Sequence, residues 1–287
     1  MEVSPEYLLD IADRALSEDV ESGDITTLAT IPETAAGIGR ILSKEDGIIS
    51  GLDIAALIFY RLDSESEFVT DLVEGSKVST GDTFVKLNGK LGALLTGERT
   101  ALNFLMHLSG IATMTTKFVS AIKGTHCKIL DTRKTRPGLR LLEKRAVSSG
   151  GGLNHRIGLY DMILIKNNHI DAAGSFEEAV KRAIDYRANL TDHTPKLEVE
   201  TRTLDEVRQA MHLAVDRIML DNFSVMDATA AVKLIRSAEP EMEIELSGSV
   251  RLSNVHNYAE TGVDFISVGA ITHSASWLDM SMQIERK

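Results

Sequence analysis

The second half of the chain predicts a parallel α/β fold, either a (β/α) barrel or an open doubly wound sheet. Short aliphatic runs alternate there with helical segments, at residues 128–131, 162–166, 197–200, 217–221, 243–247 and 264–269. From the second run onward, successive run ends lie 21 to 34 residues apart, which suits a strand and a crossover helix. Each run ends in a residue that could take part in binding or catalysis, as expected at the active-site end of barrel strands. No GxGxxG motif follows a strand, so the barrel is the favoured interpretation.

The first half predicts a smaller α/β domain with its own elements. The expected elements are a helix from Ser4-Pro5 to about Ser17, a turn at 21–27, a strand at 37–43, a helix at 52–62, short antiparallel strands between 68 and 95, and a long helix from about Gly97. We expect a domain boundary near Ser109-Gly110. Residues 1–109 then form the N-terminal domain, with 275–287 packing back on it, and 110–274 form the barrel.

Composition limits the function classes. The chain has 287 residues, a mass of 31.4 kDa, a formal charge of −11 and a pI near 5.2, which argues against general nucleic-acid binding. Cys127 is the only cysteine, so neither an internal disulfide nor a cysteine-based metal site is expected. We find no signal-peptide core and no run of about 18 apolar residues, so we expect a cytoplasmic protein without a membrane span.

One window reverses the sign of the chain's charge. Between Asp131 and Lys166 lie eight basic and three acidic residues, in DTRKTRPG (131–138), GGGLNHR (150–156) and LIKNNHI (164–170). Arg133 and Lys134 follow one strand-like run, and Lys166 follows the next. Arginine offers a planar fork and lysine a point charge to carboxylates and phosphates. The window therefore predicts a site for a multiply anionic ligand, although a solvated basic face would have the same composition.

Other strand ends carry carboxylates and small residues. Glu200 and Asp221 end consecutive strands, and paired carboxylates suit Mg²⁺, held directly or through water. Glu198 is left out of the site, on the expectation that it points to the opposite face of its strand. The turns at 247–249 and at Gly269 would let backbone N–H groups approach a phosphate.

Histidines add weaker signals. His155, beside Arg156 and after three glycines, is interpreted as a site residue. His169 and His273 remain open, and His107 on the long helix is interpreted as structural. No HExxH motif or His/Cys metal spacing occurs. The residues by themselves favour a sugar-phosphate or nucleotide substrate together with a carboxylate-bearing second substrate.

The motifs as a set resemble the quinolinate phosphoribosyltransferase family, also named nicotinate-nucleotide pyrophosphorylase (carboxylating). The motifs are ESGDITT (21–27), GERTALNFLMHLSG (97–110), DTRKTRPG, GGGLNHR, LIKNNHI, LEVE (197–200), IMLDN (218–222), ELSG (245–248) and GVDFISVGAITHS (262–274). They occur in the same order as in the family, and the resemblance covers nearly the whole chain. The resemblance implies an N-terminal α/β sandwich-like domain, a C-terminal open (β/α) barrel, and a homodimer with shared active sites. A higher oligomer is left open.

The resemblance also implies roles for individual residues. Lys134, Lys166, Glu200 and Asp221 would be catalytic, with Glu200 and Asp221 on the Mg²⁺ side. The implied substrate-binding residues are Arg99 (from the partner chain), Thr132, Arg133, Lys134, His155, Arg156, Lys166, Glu200, Asp221, Ser247, Gly248, Ser249, Val268, Gly269 and Ala270. Two positions differ from the family's usual pattern: Asn167 stands where Asp is common, and Ser249 where a second Gly is common.

The implied reaction joins quinolinate to phosphoribosyl pyrophosphate, with loss of CO₂, to give nicotinate mononucleotide for NAD biosynthesis. It uses Mg²⁺ and no organic cofactor. Two competing hypotheses are a phosphoribosyltransferase of the same fold for another heterocyclic acid, such as the homologue associated with molybdenum transport, and a non-catalytic ligand-binding paralogue. Four or five cations suit a diacid better than a monoacid, which favours quinolinate.

Overall fold

The structure is a computed structural model that describes residues 3–191 and 193–287. The chain divides into two compact units. The first comprises Met1–Thr116, Arg136–Gly151 and Ser274–Lys287, and the second Lys117–Thr135 and Gly152–His273. Three parts of the predicted barrel domain, residues 110–116, residues 136–151 and Ser274, therefore fall in the first unit.

The helices and strands follow in chain order. The helices are α1 (Pro5–Val20), α2 (Ile25–Thr30), α3 (Leu52–Leu62), α4 (Leu91–Ala121), α5 (Arg140–Ser149), α6 (Asn167–Ala173), α7 (Phe176–Ala188), α8 (Leu204–Met211), α9 (Val225–Ala238), α10 (Val255–Ala259) and α11 (Ala270–His273). The strands are β1 (Ala36–Ser43), β2 (Gly47–Ile48), β3 (Glu67–Val69), β4 (Lys77–Val78), β5 (Thr83–Lys90), β6 (Lys128–Leu130), β7 (Ile163–Ile165), β8 (Leu197–Thr201), β9 (Arg217–Asp221), β10 (Glu243–Ser247), β11 (Phe265–Ser267) and β12 (Met280–Arg286).

The first unit is built on a four-stranded antiparallel sheet in the order β12-β1-β5-β3. Strand β1 alternates buried and less buried residues along its length, as a sheet with one covered face requires. The C-terminal strand β12 pairs with β1 from Met280 to Arg286. The fully buried side chains of Ile54, Ile58 and Phe59 give α3 its core-facing side.

Two sequence expectations in this unit are wrong. The turn expected at 21–27 is in part the start of α2, because the Asp24 carboxylate accepts hydrogen bonds from the backbone N–H groups of Thr26 and Thr27, at 3.1 and 3.0 Å. Strands were expected up to Leu95, but α4 already begins at Leu91. A short apolar run cannot be assigned to strand or helix by periodicity alone, and here the helix prevails.

The second unit contains a six-stranded, all-parallel sheet in the order β6-β11-β10-β9-β8-β7. From β7 to β11 each strand lies beside its successor, and β11 pairs with β6, the first strand of the series. A doubly wound sheet would reverse direction at a switch point, so this order identifies a barrel. Strands β6 and β7 end the sheet without pairing with each other, which confirms the open (β/α) barrel. The carboxyl ends of the strands consequently gather at one edge.

Within the described residues, no helix combines the length and the apolar character needed to span a membrane.

The C-terminal strand makes a testable contribution to the first unit. Met282 is 8% exposed, and its terminal methyl carbon packs on the backbone of Gly39 in β1. Met282→Ala should lower the free energy of unfolding by about 2–5 kcal/mol, as large-to-small core substitutions do. Gln283→Ala, on the exposed neighbouring residue, should change it by less than about 0.5 kcal/mol. Urea unfolding followed by fluorescence measures both. Equal effects would show that β12 adds no packing energy.

Candidate active site

A cavity of about 720 Å³ lies within the second unit and is lined by residues at the carboxyl ends of the barrel strands. Fourteen of the fifteen predicted substrate-binding residues line it: Thr132, Arg133, Lys134, His155, Arg156, Lys166, Glu200, Asp221, Ser247, Gly248, Ser249, Val268, Gly269 and Ala270. The exception is Arg99, which lies on α4 in the first unit with an exposed side chain. The cavity thus brings together residues that are up to 141 positions apart in the chain, from Thr132 to His273.

Two arginines give part of the cavity an uncompensated positive charge. Arg156 is only 8% exposed and donates through Nη1 to the carbonyl oxygen of Met162, at 3.1 Å. Burial, followed by the charge of Arg133, holds the pKa of Arg156 below its usual range. The Nε of Arg133 is buried without a hydrogen-bond partner. Neither guanidinium forms an ion pair with a carboxylate of the described chain, so this part of the cavity favours an anion.

The carboxylates Glu200 and Asp221 give another part of the cavity a negative charge. Glu200 accepts from Lys166 Nζ at 3.0 Å and from the backbone N–H of Asn167 at 3.2 Å. Burial and the charge of Glu200 raise the pKa of Asp221 above its usual value, although Asn222, Lys166 and Asn167 act in the other direction. Negative charge near Asp221 is therefore only partly balanced. An added cation would stabilise this part of the cavity.

A turn of unusual backbone conformation follows β10. Gly248 has φ +100°, and a Cβ there would lie 2.2 Å from Asn222 Oδ1, so only glycine fits. Ser249 has φ +52°, a left-handed conformation that glycine adopts without strain and other L-residues adopt at a cost of roughly 1–2 kcal/mol. A second glycine at this position would therefore fit the same turn, and the serine keeps its shape at some expense of stability.

The loop after β6 is held against the loop after β11. The hydroxyl of Thr272 donates to the backbone oxygen of Lys134 at 2.8 Å, and the backbone N–H of Lys134 donates to Thr132 Oγ1 at 3.0 Å. A Cβ at Gly269 would lie 3.0 Å from Lys134 Cδ. The small residue after β11 thus leaves room for the Lys134 stem, which places that ammonium at the cavity.

His155 is part of a buried charged network that the sequence analysis missed. Its Nε2 lies 3.1 Å from Glu198 Oε2 and 3.4 Å from Glu245 Oε2. Glu245 in turn accepts from Arg217 Nη1 at 2.8 Å. The expectation that Glu198 points away from Glu200 is wrong, because residues two apart in a strand share a face. The same rule, applied from Ser247 back to Glu245, would have found both glutamates.

The network also determines where its protons lie. Burial lowers the pKa of His155, but Glu198 and Glu245 raise it more strongly, to about 9. Burial and the charge of Glu245 raise the pKa of Glu198 to about 7. The backbone N–H of Arg156 donates to His155 Nδ1 at 2.7 Å, which requires an unprotonated Nδ1. A raised His155 pKa alone would put protons on both ring nitrogens near neutral pH, but the Arg156 contact excludes a proton on Nδ1. The geometry therefore gives a neutral ring with its proton on Nε2, and the further proton of the pair lies on Glu198, whose pKa is also raised.

The three other histidines that the sequence singled out differ in burial and in their contacts. His107 is buried in the first unit, with Nε2 2.9 Å from Glu143 Oε1. His169 is exposed, and its Nδ1 accepts from the backbone N–H of Lys166 at 2.8 Å, at the start of α6. His273 lines the cavity. Of the three, only His273 reaches the site.

Family models match almost the whole chain. The model described as quinolinate phosphoribosyl transferase, C-terminal domain, matches residues 111–283, and that for the N-terminal domain matches residues 24–109. The chain belongs to the quinolinate phosphoribosyltransferase family. A probable nicotinate-nucleotide pyrophosphorylase [carboxylating] of Synechocystis sp. is 48% identical over 271 residues, covering 94% of this chain and 90% of the relative. The Mycobacterium leprae nicotinate-nucleotide pyrophosphorylase [carboxylating] is 41% identical, with coverage of 94% and 95%.

Solved structures of family members share the fold. NadC from Streptococcus pyogenes superposes with a TM-score of 0.93 at 38% identity, covering 100% of this chain and 99% of that one. The nicotinate-nucleotide pyrophosphorylase from Francisella tularensis superposes with a TM-score of 0.92 at 39% identity, with coverage of 99% and 98%. The two-domain architecture with an open barrel is therefore that of the family.

The raised pKa of Asp221 predicts a pH-dependent stability difference. A raised folded-state pKa means that the contribution of Asp221 is fully present below the ordinary Asp pKa of about 3.9 and is lost as pH rises through the higher folded-state value. Asp221→Asn should therefore unfold at higher denaturant than the wild type at pH 7, and the difference should shrink on acidification. The exposed Asp71→Asn variant is the control. A pH-independent difference in unfolding free energy would contradict this prediction.

Proposed function

We propose that this protein transfers the phosphoribosyl group of phosphoribosyl pyrophosphate to quinolinate and releases pyrophosphate and CO₂, forming nicotinate mononucleotide for NAD biosynthesis. Membership of the family and the names of the relatives support the reaction. The observation that carries the proposal is the cavity's divided charge, with unpaired guanidinium groups at Arg133 and Arg156 and an incompletely balanced carboxylate at Asp221. A diacid and a metal-bound pyrophosphate ester have complementary charges.

In this proposal the basic residues bind quinolinate. Its two adjacent carboxylates need several donors, and Arg133 and Arg156 present guanidinium forks that no described carboxylate occupies. Lys166 is paired with Glu200 in this structure but remains about half exposed, so its ammonium can also reach a ligand in the cavity. Lys134 and the small residues at Gly248 and Gly269 suit the phosphoribosyl side.

The carboxylates suit Mg²⁺. Glu200 and Asp221 are oxygen ligands of the kind that Mg²⁺ prefers, and the Asp221 pKa shows negative charge that a divalent cation would balance. The buried Oδ1 of Asn167 has no hydrogen-bond partner in the described chain and adds an uncharged oxygen beside them. The residues present therefore fit the ion, and Glu200 and Asp221 would hold it, directly or through water. Bound Mg²⁺ would offset negative charge on the departing pyrophosphate.

The chemistry follows from the substrates' own bonds. The quinolinate ring nitrogen attacks the anomeric carbon as the bond to pyrophosphate breaks, and the nitrogen becomes cationic. The bond to the adjacent carboxylate then breaks, CO₂ leaves, and the electron pair remains on the ring carbon, where the cationic nitrogen stabilises it. A proton completes that carbon. Lys134 and Lys166 would stabilise negative charge on the transferred and departing groups, and no nucleophilic side chain is required.

A turnover assay tests the proposed function. Purified protein is mixed with quinolinate, phosphoribosyl pyrophosphate and Mg²⁺, and nicotinate mononucleotide and CO₂ are measured. Parallel reactions contain nicotinate instead of quinolinate, or EDTA. We expect product in the reaction with quinolinate and none in the reaction with nicotinate. We also expect EDTA to abolish product formation. Turnover of nicotinate in preference to quinolinate would show that the substrate is another heterocyclic acid. Binding without turnover would indicate a non-catalytic paralogue.

Arg156 is expected to contribute selectively to diacid affinity. A lost charge-assisted hydrogen bond costs roughly 1.5–3 kcal/mol, which corresponds to about tenfold or more in affinity. Arg156→Ala should weaken quinolinate binding by at least that factor, with a far smaller effect on phosphoribosyl pyrophosphate. Arg156→Lys should rescue only in part, because an ammonium lacks the planar fork. Calorimetric titration of each ligand, with thermal unfolding as the folding control, measures this. Equal losses for both ligands would place Arg156 on the phosphate side.

We further propose a homodimer in which the partner's Arg99 completes each site. The motif position of Arg99 and its exposure on α4 support this proposal. Arg99→Ala and Lys166→Ala should each abolish turnover, whereas co-expressed mixed dimers of the two variants should recover up to about a quarter of wild-type activity, because half the dimers are mixed and each has one intact site. Both variants must sediment as dimers. No recovery in mixed dimers would show that each site is formed within one chain.

A further inference from the structure

The segment 153–156 lies on the open side of the barrel and has little strand pairing. Leu153 forms a parallel bridge with Leu130 of β6, through hydrogen bonds of 2.8 and 3.1 Å. In the part of the chain that the structure describes, no bridge connects this segment with β7. Arg156 is therefore carried by backbone that a sheet supports on one side only.

No second strand supports this segment in the described chain, and side-chain contacts hold it instead. They come from the end of β6, from β8 and from β10. Asp131, after β6, accepts from the backbone N–H of His155 at 2.8 Å and from Asn154 Nδ2 at 2.7 Å. The His155 ring then reaches Glu198 on β8, at 3.1 Å, and Glu245 on β10, at 3.4 Å. Neither strand pairs with β6. The imidazole therefore connects the unsupported segment to the barrel interior.

The two glutamates are fully buried, but they are held differently. Among the described residues the Glu198 side chain hydrogen-bonds only to His155, and its Oε1 has no partner. A buried carboxylate costs several kcal/mol unless it is paired and hydrogen-bonded. Glu245 is paired with Arg217 at 2.8 Å and also accepts from the Ser267 hydroxyl. Arg217 continues to Glu243, and its guanidinium lies 4.2 Å from the centre of the Phe265 ring. This chain of contacts holds Glu245 as an anchor for the imidazole, and Glu198 adds the shorter contact to Nε2.

We propose that Glu198 and Glu245 are positioning residues: by holding His155 through Nε2, they fix the adjacent Arg156 for diacid binding. His155 then acts through Arg156 and does not bind the substrate itself. This inference rests on the proposed function. The contacts of the ring support it, because Nε2 faces the two glutamates and Nδ1 accepts from the backbone N–H of Arg156 at 2.7 Å. That last contact links the ring directly to the residue that it positions.

A matched pair of substitutions tests the proposal. In His155→Gln the amide nitrogen occupies the place of Nε2 and can still donate to the glutamates, while the acceptor at Nδ1 is lost. This variant therefore tests the anchoring through Nε2 by itself. In His155→Asn the amide reaches only the place of Nδ1, and the contact is lost. Neither amide carries a charge. Steady-state kinetics should show a KM for quinolinate raised about tenfold or more in the Asn variant and by less than about threefold in the Gln variant. The KM for phosphoribosyl pyrophosphate should change by less than about threefold in both.

The alternatives predict other outcomes. If His155 contacts quinolinate as a cation, both variants lose quinolinate affinity equally, and the proposal is overturned. An Asn variant with wild-type kinetics overturns it too. A purely structural role would lower the melting temperature and affect both substrates alike. Absence of turnover in the wild type would instead reject the proposed function.

A second measurement does not depend on turnover or on a variant that folds. The ¹⁵N chemical shifts of the His155 ring in the wild-type protein report which nitrogen carries a proton. We expect a protonated Nε2 and an unprotonated Nδ1 near neutral pH. A proton on Nδ1 would be incompatible with the Arg156 contact and would overturn the positioning role, whatever the kinetics show.

Discussion

Charge in the barrel interior is the constraint on which the rest of the site depends. Glu198 and Glu245 lie fully buried on neighbouring parts of a parallel sheet, where water cannot balance them. Arg217 and His155 supply the compensation, and they connect β8, β9 and β10 with the segment that follows α5. His155 and Glu245 also line the cavity, so this buried network lies next to the charged groups that face it.

In the proposed function, the incompletely balanced charges of the cavity are the groups that bind the ligands. Lys166 and Glu200 satisfy each other in this structure, whereas Arg133 and Arg156 have no carboxylate partner and Asp221 has a raised pKa. A protein that was optimised only for stability would pair these groups. Under the proposed function, their separation within one cavity of about 720 Å³ would let a dianionic acid and a metal-bound pyrophosphate bind side by side.

The turns at the strand ends have a different physical basis. Gly248 is required because the Asn222 side chain occupies the space that a Cβ would need. Gly269 leaves room for the aliphatic stem of Lys134. At both positions the absence of a side chain is what lets a polar group of another loop approach, which is a packing requirement as much as a phosphate-binding one.

Sequence patterns favoured the barrel over a doubly wound sheet and located most of its strands, and the family resemblance named most of the residues that line the cavity. Strands β9 and β10 were predicted with the observed bounds, because apolar residues recur through each short run and each run ends at a polar residue. Residues at the ends of parallel strands meet at one edge of the sheet, which explains why strand-end residues such as Lys166, Glu200 and Asp221 share one cavity.

The pairing of these groups became visible only in the folded chain. Local sequence did not reveal that Asp24 starts a helix within an apparent turn, or that the Lys166 ammonium lies on Glu200. The partners of His155 lie 43 and 90 residues away along the chain, on two different strands. Pairing across that separation depends on strand order and register, which bring distant residues within about 3 Å and which no local pattern encodes.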